Sequence, residues 1–506
     1  MNPAASDLNS LIHHPVVDRV AGALFAAGVG EAYLVGGTVR DWLLGRGEAA
    51  RDLDVAIPSG PQAVAEASAH ALGGTVVPLD QATVRVVFRG PAGPWRLDLA
   101  CYRGPTIGED LGLRDFTVDA MAVALLGGAP PALLDPMGGR ADLEARVIRH
   151  AYADAFADDP LRTLRAVRLA AALNAAIARE TRPLIRQAAP GLTRMAGERI
   201  RDETIKIFAA AGAAHWAREL DELGLLVVLV PAVAALKEVP PSPPHRLGLW
   251  EHSLEVLRLA EGLLTDPARW FPEEAGEIAR RSAEVLEGDI PRRSLLALFA
   301  LLHDVGKPAT RSVEPDGRVR FLGHVEAGAA TLGGLAARLR LGRRATELLD
   351  RMERAHMRPI LLGAEPSLTP RARYRFFRDL GSEALDVLAF SMADVGGTVG
   401  TEGPAWEAHL RFVREMLAFR RERVRPVQQA PPLSGDEVMA LTGIGPGPLV
   451  GHVLERVAEA AALGQVRSRA ECLELVRREF AAWRREHEGQ ARRAAPKSLD
   501  PPDGVG

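Results

Sequence analysis

Apolar and polar side chains alternate at the start of Arg-Asp-Leu-Asp-Val-Ala-Ile, residues 51–57, which predicts a short β-strand. Successive strand side chains point to opposite faces, so Asp52 and Asp54 share one. Further strand-like runs fall at 32–35, 75–78, 83–89 and 95–101, and residues 17–29 read as an amphipathic helix ending at Gly28 or Gly30. The mixture predicts a small α/β head ending near residue 150. Helical patterning follows. Asp158 is expected to cap a helix, with Asp159 in its first turn beside a tolerated Pro160. Pro240–Pro244 reads as a hinge, Trp250–Leu254 as a helix start, 401–425 as helical and Pro426–Pro432 as a linker. Leu433–Asp436 opens a compact helical module, with a turn at Gly443–Pro448. From Gly489 the chain is polar and rich in Pro and Gly, which predicts disorder.

Composition narrows the picture. The chain has 506 residues, too many for one core, so several domains are expected. Apolar residues make up 47%, enough for well-packed globular domains. The formal net charge of -3 gives no global basic field, so any nucleic-acid surface has to be local. Between 159 and 206 there are ten Arg or Lys against five Asp or Glu, which suits phosphate contact or a solvated helical surface. Cys101 and Cys472 form neither a disulfide framework nor a cysteine zinc site. No secretory signal or long apolar span is evident, so the expected location is the cytoplasm, with no membrane partner.

The candidate chemistry starts from the two acids. Paired carboxylates repel unless a cation lies between them, and hard oxygen ligands suit Mg²⁺ that also touches phosphates. Gly36 and Gly37 remove Cβ atoms where a phosphate chain can approach, and Arg40 offers a fork of donors for a triphosphate. Together they suggest metal-dependent nucleotidyl transfer. Asp98, within Leu97-Asp98-Leu99, is either a third metal carboxylate or a solvent-facing acid on a half-buried strand.

The run Leu-Val-Gly-Gly-Thr-Val-Arg-Asp-Trp-Leu-Leu-Gly at 34–45, followed by Asp52-Leu53-Asp54, resembles the first motif of the class II tRNA nucleotidyltransferase and bacterial poly(A) polymerase family. Leu113-Arg114-Asp115-Phe116-Thr117-Val118-Asp119-Ala120 is similar to the second motif, with Leu113 in place of an Arg and Asp119 in place of an Asn. The resemblance implies that Gly36, Gly37, Arg40, Asp41, Arg114 and Asp115 hold the nucleotide, and that Asp52, Asp54 and Asp98 are catalytic. Asp135-Pro136-Met137-Gly138-Gly139 resembles a family turn with a structural role. Asp158, Asp159 and Arg162 resemble the family's Glu-Asp-x-x-Arg element, which reads the Watson–Crick edge of CTP or ATP; otherwise they form a helix cap and an intrahelical ion pair. Arg165 and Arg168 continue at intervals of three and either support that template or touch substrate. Glu198–Glu203 resembles a later family helix and is expected to carry stabilising pairs.

Further on, His252, His303-Asp304, Lys307, His324, His356 and Asp394 follow an order similar to the HD superfamily of metal-dependent phosphohydrolases. Mixed N/O ligands suit Mn, Fe, Ni, Co or Zn, and Lys307, His324 or His356 can also bind phosphate.

The expected fold is α+β and multidomain: a head with a polymerase-β-like mixed sheet (1–150), then an all-α neck for base selection and RNA binding (151–235), an HD domain (236–400), a tail (401–488) and a disordered end (489–506). The implied function is addition of CMP, and conceivably AMP, from CTP and ATP to the tRNA 3′ end, with a linked phosphohydrolase. Only Gly104–Gly112 separates Arg103 from Leu113, where full CCA-adding members carry a long flexible loop, so a CC-adding specialist is expected. The alternatives are a poly(A) or A-adding enzyme, or an HD phosphohydrolase whose head only binds RNA. Oligomeric state is left open.

Overall fold

The computed structural model describes residues 8–47, 51–79, 82–91, 93–127 and 132–494. The head is built on a seven-stranded mixed sheet in the order β3-β4-β5-β2-β1-β6-β7. Its strands are β1 (Ala32–Val35), β2 (Asp52–Ile57), β3 (Thr75–Pro78), β4 (Thr83–Gly90), β5 (Gly93–Cys101), β6 (Ala122–Leu126) and β7 (Leu133–Leu134). β2 and β5 pair in parallel and every other neighbouring pair is antiparallel. The parallel register places Asp54 directly beside Asp98. Alternation decides the packing of β5: Trp95, Leu97 and Leu99 are buried, with Arg96 and Asp98 between them on the other face. Helices Pro15–Ala26 and Pro61–Leu72 supply the apolar layer beneath the sheet.

Everything after the sheet is mainly helical. The apolar core runs without interruption from the head through the neck into the HD region, whereas residues of 433–476 pack a second, separate core. That module begins with Ser434, whose side chain accepts from Glu437 N–H while Glu437 returns a bond to the Ser434 N–H. Gly443, in the left-handed conformation, ends the first helix before the predicted turn. Among the described residues, no helix is long and apolar enough to cross a membrane.

Four local expectations change. The helix read at 17–29 spans Pro15–Ala26, because Pro15 fits its first turn and the His14 ring accepts from Val16 N–H. Asp158 ends a short helix, Ala155–Asp158, and does not cap the next one; Asp159 is extended and accepts from Leu161 N–H ahead of Arg162–Leu173. The expected linker at Pro426–Pro432 is partly helical: helix Pro404–Phe419 passes through a π-turn at Arg420–Val424 into Arg425–Gln429. Arg420, Arg421 and Arg425 pin this turn to Glu274 and Glu277. Disorder from Gly489 is corrected as well, since helix Arg469–Ala494 runs past it; 495–506 lie outside the described residues. Glu, Arg and Ala dominate that helix and favour helical backbone despite its polarity.

Candidate functional site

Two groups of chemistry-bearing side chains stand out, one on the head and neck and one in the HD region. In the head, the chain leaves β1 through Gly36, at φ +63°, into helix Gly37–Leu43. A Cβ at Gly36 would stand 3.1 Å from Arg114 Nη1 and 3.6 Å from Asp54 Oδ2, so the glycine admits these groups to one hollow. Thr38 Oγ1 accepts from Asp54 N–H at 2.7 Å, tying the turn to the strand that carries the acids. Burial, followed by repulsion from Asp98, pushes the Asp54 carboxyl up to about 6. A divalent cation would relieve that repulsion, so the residues fit one. Asp52 stands at the exposed start of β2 and meets Arg96 at 3.3 Å. Asp98 is held bidentately by Nε and Nη2 of Arg85, at 2.7 and 2.8 Å, so the expected third metal carboxylate is engaged by an arginine in this structure.

Several sequence-derived nucleotide contacts have structural duties. Arg40 donates Nε to Asp41 at 2.8 Å and Nη1 to Asp119 at 2.5 Å, so most of its fork is spent inside the protein. Burial opposes ionisation of Asp119, but Arg40, Arg165, Arg168 and Arg114 outweigh it and hold the carboxyl below its ordinary value. The replacement of Asn by Asp at this position therefore serves an internal ion pair. Arg114 grips Asp110 at 2.9 Å, and Arg165 grips Asp115 at 2.9 Å. Arg168 bonds Glu203 at 2.5 Å and joins two neck helices. Asp135 accepts from the N–H groups of Gly139 and Arg140, the structural turn expected there.

The side chains of Asp159 and Arg162 do not pair with each other. Asp159 Oδ2 accepts from Arg199 at 2.9 Å, so the Glu198–Glu203 stretch braces neighbouring helices through Arg199 and Glu203. Arg162 donates instead to the Tyr152 hydroxyl and the Ala155 carbonyl. Arg103 escaped the sequence reading. Its Nη1 donates to the Leu113 carbonyl at 2.8 Å, and burial, then the adjacent Arg114, push its pKa down. Its only sequence signal was its position at the end of β5, immediately before the short loop.

In the HD region His252 lies in helix Leu249–Thr265, His303 and Asp304 just follow Arg292–Leu302, and Asp394 lies in Ala384–Val399. His252 Nε2 is 3.3 Å from both His303 Nε2 and Asp394 Oδ1, and His303 Nε2 is 3.3 Å from Asp304 Oδ2. His324 begins helix His324–Arg338 and His356 follows Arg343–Ala355. Two ligand-like groups form, His252-His303-Asp304 and Asp304-His324-His356, each with its atoms within 4.8 Å of one another.

The tautomers follow from the backbone. Nδ1 of His324 and His356 each faces a carbonyl oxygen, at 2.9 and 2.7 Å, so each Nδ1 donates and each Nε2 keeps its lone pair. The Nε2 atoms of His324 and His356 are buried without a partner. Burial pushes His356 down to about 4, keeping it neutral as a metal ligand requires. Burial opposes the charge on Asp304, but His303 and Lys307 (Nζ at 2.7 Å) hold it well below the usual carboxylate range. Orphaned imidazole nitrogens beside an ionised carboxylate fit a divalent metal.

The chain matches the poly A polymerase head domain over 32–104 and 98–149. It matches the probable RNA and SrmB-binding site of polymerase A over 175–237, and the HD domain over 249–379. It is 36% identical over 453 residues to the A-adding tRNA nucleotidyltransferase of Deinococcus radiodurans, covering 88% of this chain and 95% of that one. It is 35% identical over 468 residues to the CC-adding tRNA nucleotidyltransferase of Thermus thermophilus, covering 91% and 95%. In fold it is similar to a Thermotoga maritima CCA-adding enzyme complexed with tRNA, with TM-score 0.61, 22% identity and coverage of 93% and 98%. A CCA-adding enzyme structure with CTP gives TM-score 0.63 at 22% identity, covering 93% and 97%. With head and HD regions that imply divalent-metal chemistry, the chain belongs to the tRNA nucleotidyltransferase family.

Proposed function

We propose that the protein adds CMP residues from CTP to the 3′ end of tRNA without a nucleic-acid template, and that it is a CC-adding enzyme of the cytoplasm. The observation that carries the restriction to C is the segment between Arg103 and Arg114. In place of a long flexible loop it holds a short helix, Ile107–Gly112, capped by Thr106. Asp110, in that helix, accepts from the Arg103 N–H and from the Arg114 side chain. A loop tied at both ends in this way resists the rearrangement needed to exchange CTP for ATP. A-adding activity is the second reading, favoured by the likeness to the Deinococcus radiodurans enzyme.

Asp52 and Asp54, and Asp98 if freed from Arg85, would hold Mg²⁺. The ions, when bound, supply Lewis acidity for in-line displacement of pyrophosphate by the tRNA 3′-hydroxyl. Gly36 and Gly37 admit the phosphates, and Arg103 and Arg114 balance their charge. Asp158, Asp159 and Arg162 present acceptors and donors to the cytosine edge.

The HD residues His252, His303, Asp304, His324, His356 and Asp394 hold a transition metal of the Mn, Fe, Ni, Co or Zn group. When bound, such an ion would supply Lewis acidity for hydrolysis of phosphoesters of nucleotides or RNA ends, including 2′,3′-cyclic phosphates. Lys307 adds positive charge for the phosphate. The test is incubation with tRNA that ends at its discriminator base. With CTP and ATP both present, products two nucleotides longer support CC addition, whereas addition of one A only to tRNA that already ends in CC supports the second reading.

A further inference from the structure

Between head and neck, Tyr152 touches both sides of the candidate base reader. Its hydroxyl donates to Asp158 Oδ2 at 2.7 Å and accepts from Arg162 Nη1 at 2.6 Å. The phenol has one proton, and a carboxylate only accepts while a guanidinium only donates, so a single proton arrangement satisfies the set. The second Nη1 hydrogen of Arg162 goes to the Ala155 carbonyl at 3.0 Å. The Arg162 guanidinium carbon also lies 5.7 Å from the Tyr152 ring centroid. One edge of the guanidinium is thus fixed, and Nε and Nη2 remain as its donors.

Other candidates carry less. The wide groove between Tyr374 and the tail module is apolar, and nothing in the structure selects an occupant for it. Buried Glu353, whose backbone carbonyl faces His356 Nδ1, adjoins the HD site.

We propose that Tyr152 is a positioning residue for base selection: by bridging Asp158 and Arg162 it sets which guanidinium edge meets the incoming nucleotide. The inference rests on the transferase reading above. Cytosine offers an acceptor at N3 and a donor at N4, and uracil reverses both, so orientation of a fixed donor edge discriminates between them. Loss of the bridge lets Arg162 turn and donate to either base.

The test compares CTP with UTP incorporation by the full-length protein on tRNA ending at its discriminator base. Tyr152→Phe keeps the ring and removes the bridge. Its KM for CTP is expected to rise about tenfold and its CTP-over-UTP preference to fall about tenfold, with kcat within about twofold. The melting temperature should stay within about 2 °C of the unsubstituted protein. Arg162→Lys should show the same loss of preference, and the double variant should be no worse than either alone. A Tyr152→Phe protein that keeps the original preference overturns the inference, as does one that slows both nucleotides equally. Failure of the unsubstituted protein to incorporate either nucleotide overturns the CC-adding reading, and this inference with it.

Discussion

Asp54 sits with its carboxyl raised to about 6, by burial first and by Asp98 second. In an unfolded chain an aspartate ionises near pH 3.9. The folded protein therefore holds the proton more tightly, so stability is lost as the pH rises from about 4 to about 6 and the cost stays constant above that. In metal-free protein, Asp54→Asn should raise stability at pH 8 by on the order of 2 kcal/mol, from about two pKa units discounted for partial exposure. The gain should shrink as the pH falls from 6 toward 4 and vanish below it. Denaturant melts with a chelator present check this; equal stability of the two proteins at pH 8 would refute the electrostatic account. Sequence pattern revealed the acids because a strand's two-residue period puts them on one face. It could not reveal that Asp98 binds Arg85 or that Arg40 binds Asp119, because those partners come from other strands and turns. The duty of Asp119 became legible only once folding had placed it beside Arg40.

Elements bring the ligands together, and glycines set how closely they approach. A Cβ at Gly306 would meet the His324 carbonyl oxygen at 2.1 Å and the Gly328 nitrogen at 2.5 Å, both backbone atoms that cannot swing aside. Gly306→Ala should push away the helix that begins at His324, costing about 2–3 kcal/mol and lowering phosphohydrolase turnover at least tenfold. A melt and a phosphoester assay on the same preparation measure both effects, and an unchanged melting temperature would contradict the packing described. The His-Asp pair and the later histidines stood out in the sequence by order alone. The requirement for glycine at 306 did not, because it arises where two helices touch. The π-turn at Arg420–Val424 was hidden for a related reason: proline in sequence suggests a linker, whereas ion pairs from Glu274 and Glu277 keep the helix running.

Across the whole molecule, one continuous core joins the head, neck and HD region, yet the two candidate sites draw on separate sets of side chains. Their activities should therefore separate. His324→Ala removes a buried, unpartnered nitrogen without breaking an ion pair. It should lower metal content and phosphoester hydrolysis at least tenfold while nucleotide addition stays within about twofold. Parallel loss of both activities would mean that the HD region governs the head. The net charge of -3 gives no long-range pull on RNA, so tRNA affinity depends on local arginines and should fall steeply with added salt. Binding titrations at two salt concentrations measure that slope, and a flat response would exclude phosphate contact as the main contribution.

The most direct measurement is a gel of labelled tRNA ending at its discriminator base, incubated with Mg²⁺, CTP and ATP and either the unsubstituted protein or Asp54→Ala. Products two nucleotides longer should form with the former and disappear with the latter. Extension by Asp54→Ala at an undiminished rate, or no extension by either protein, would contradict the assignment of nucleotidyl transfer to the acids of β2.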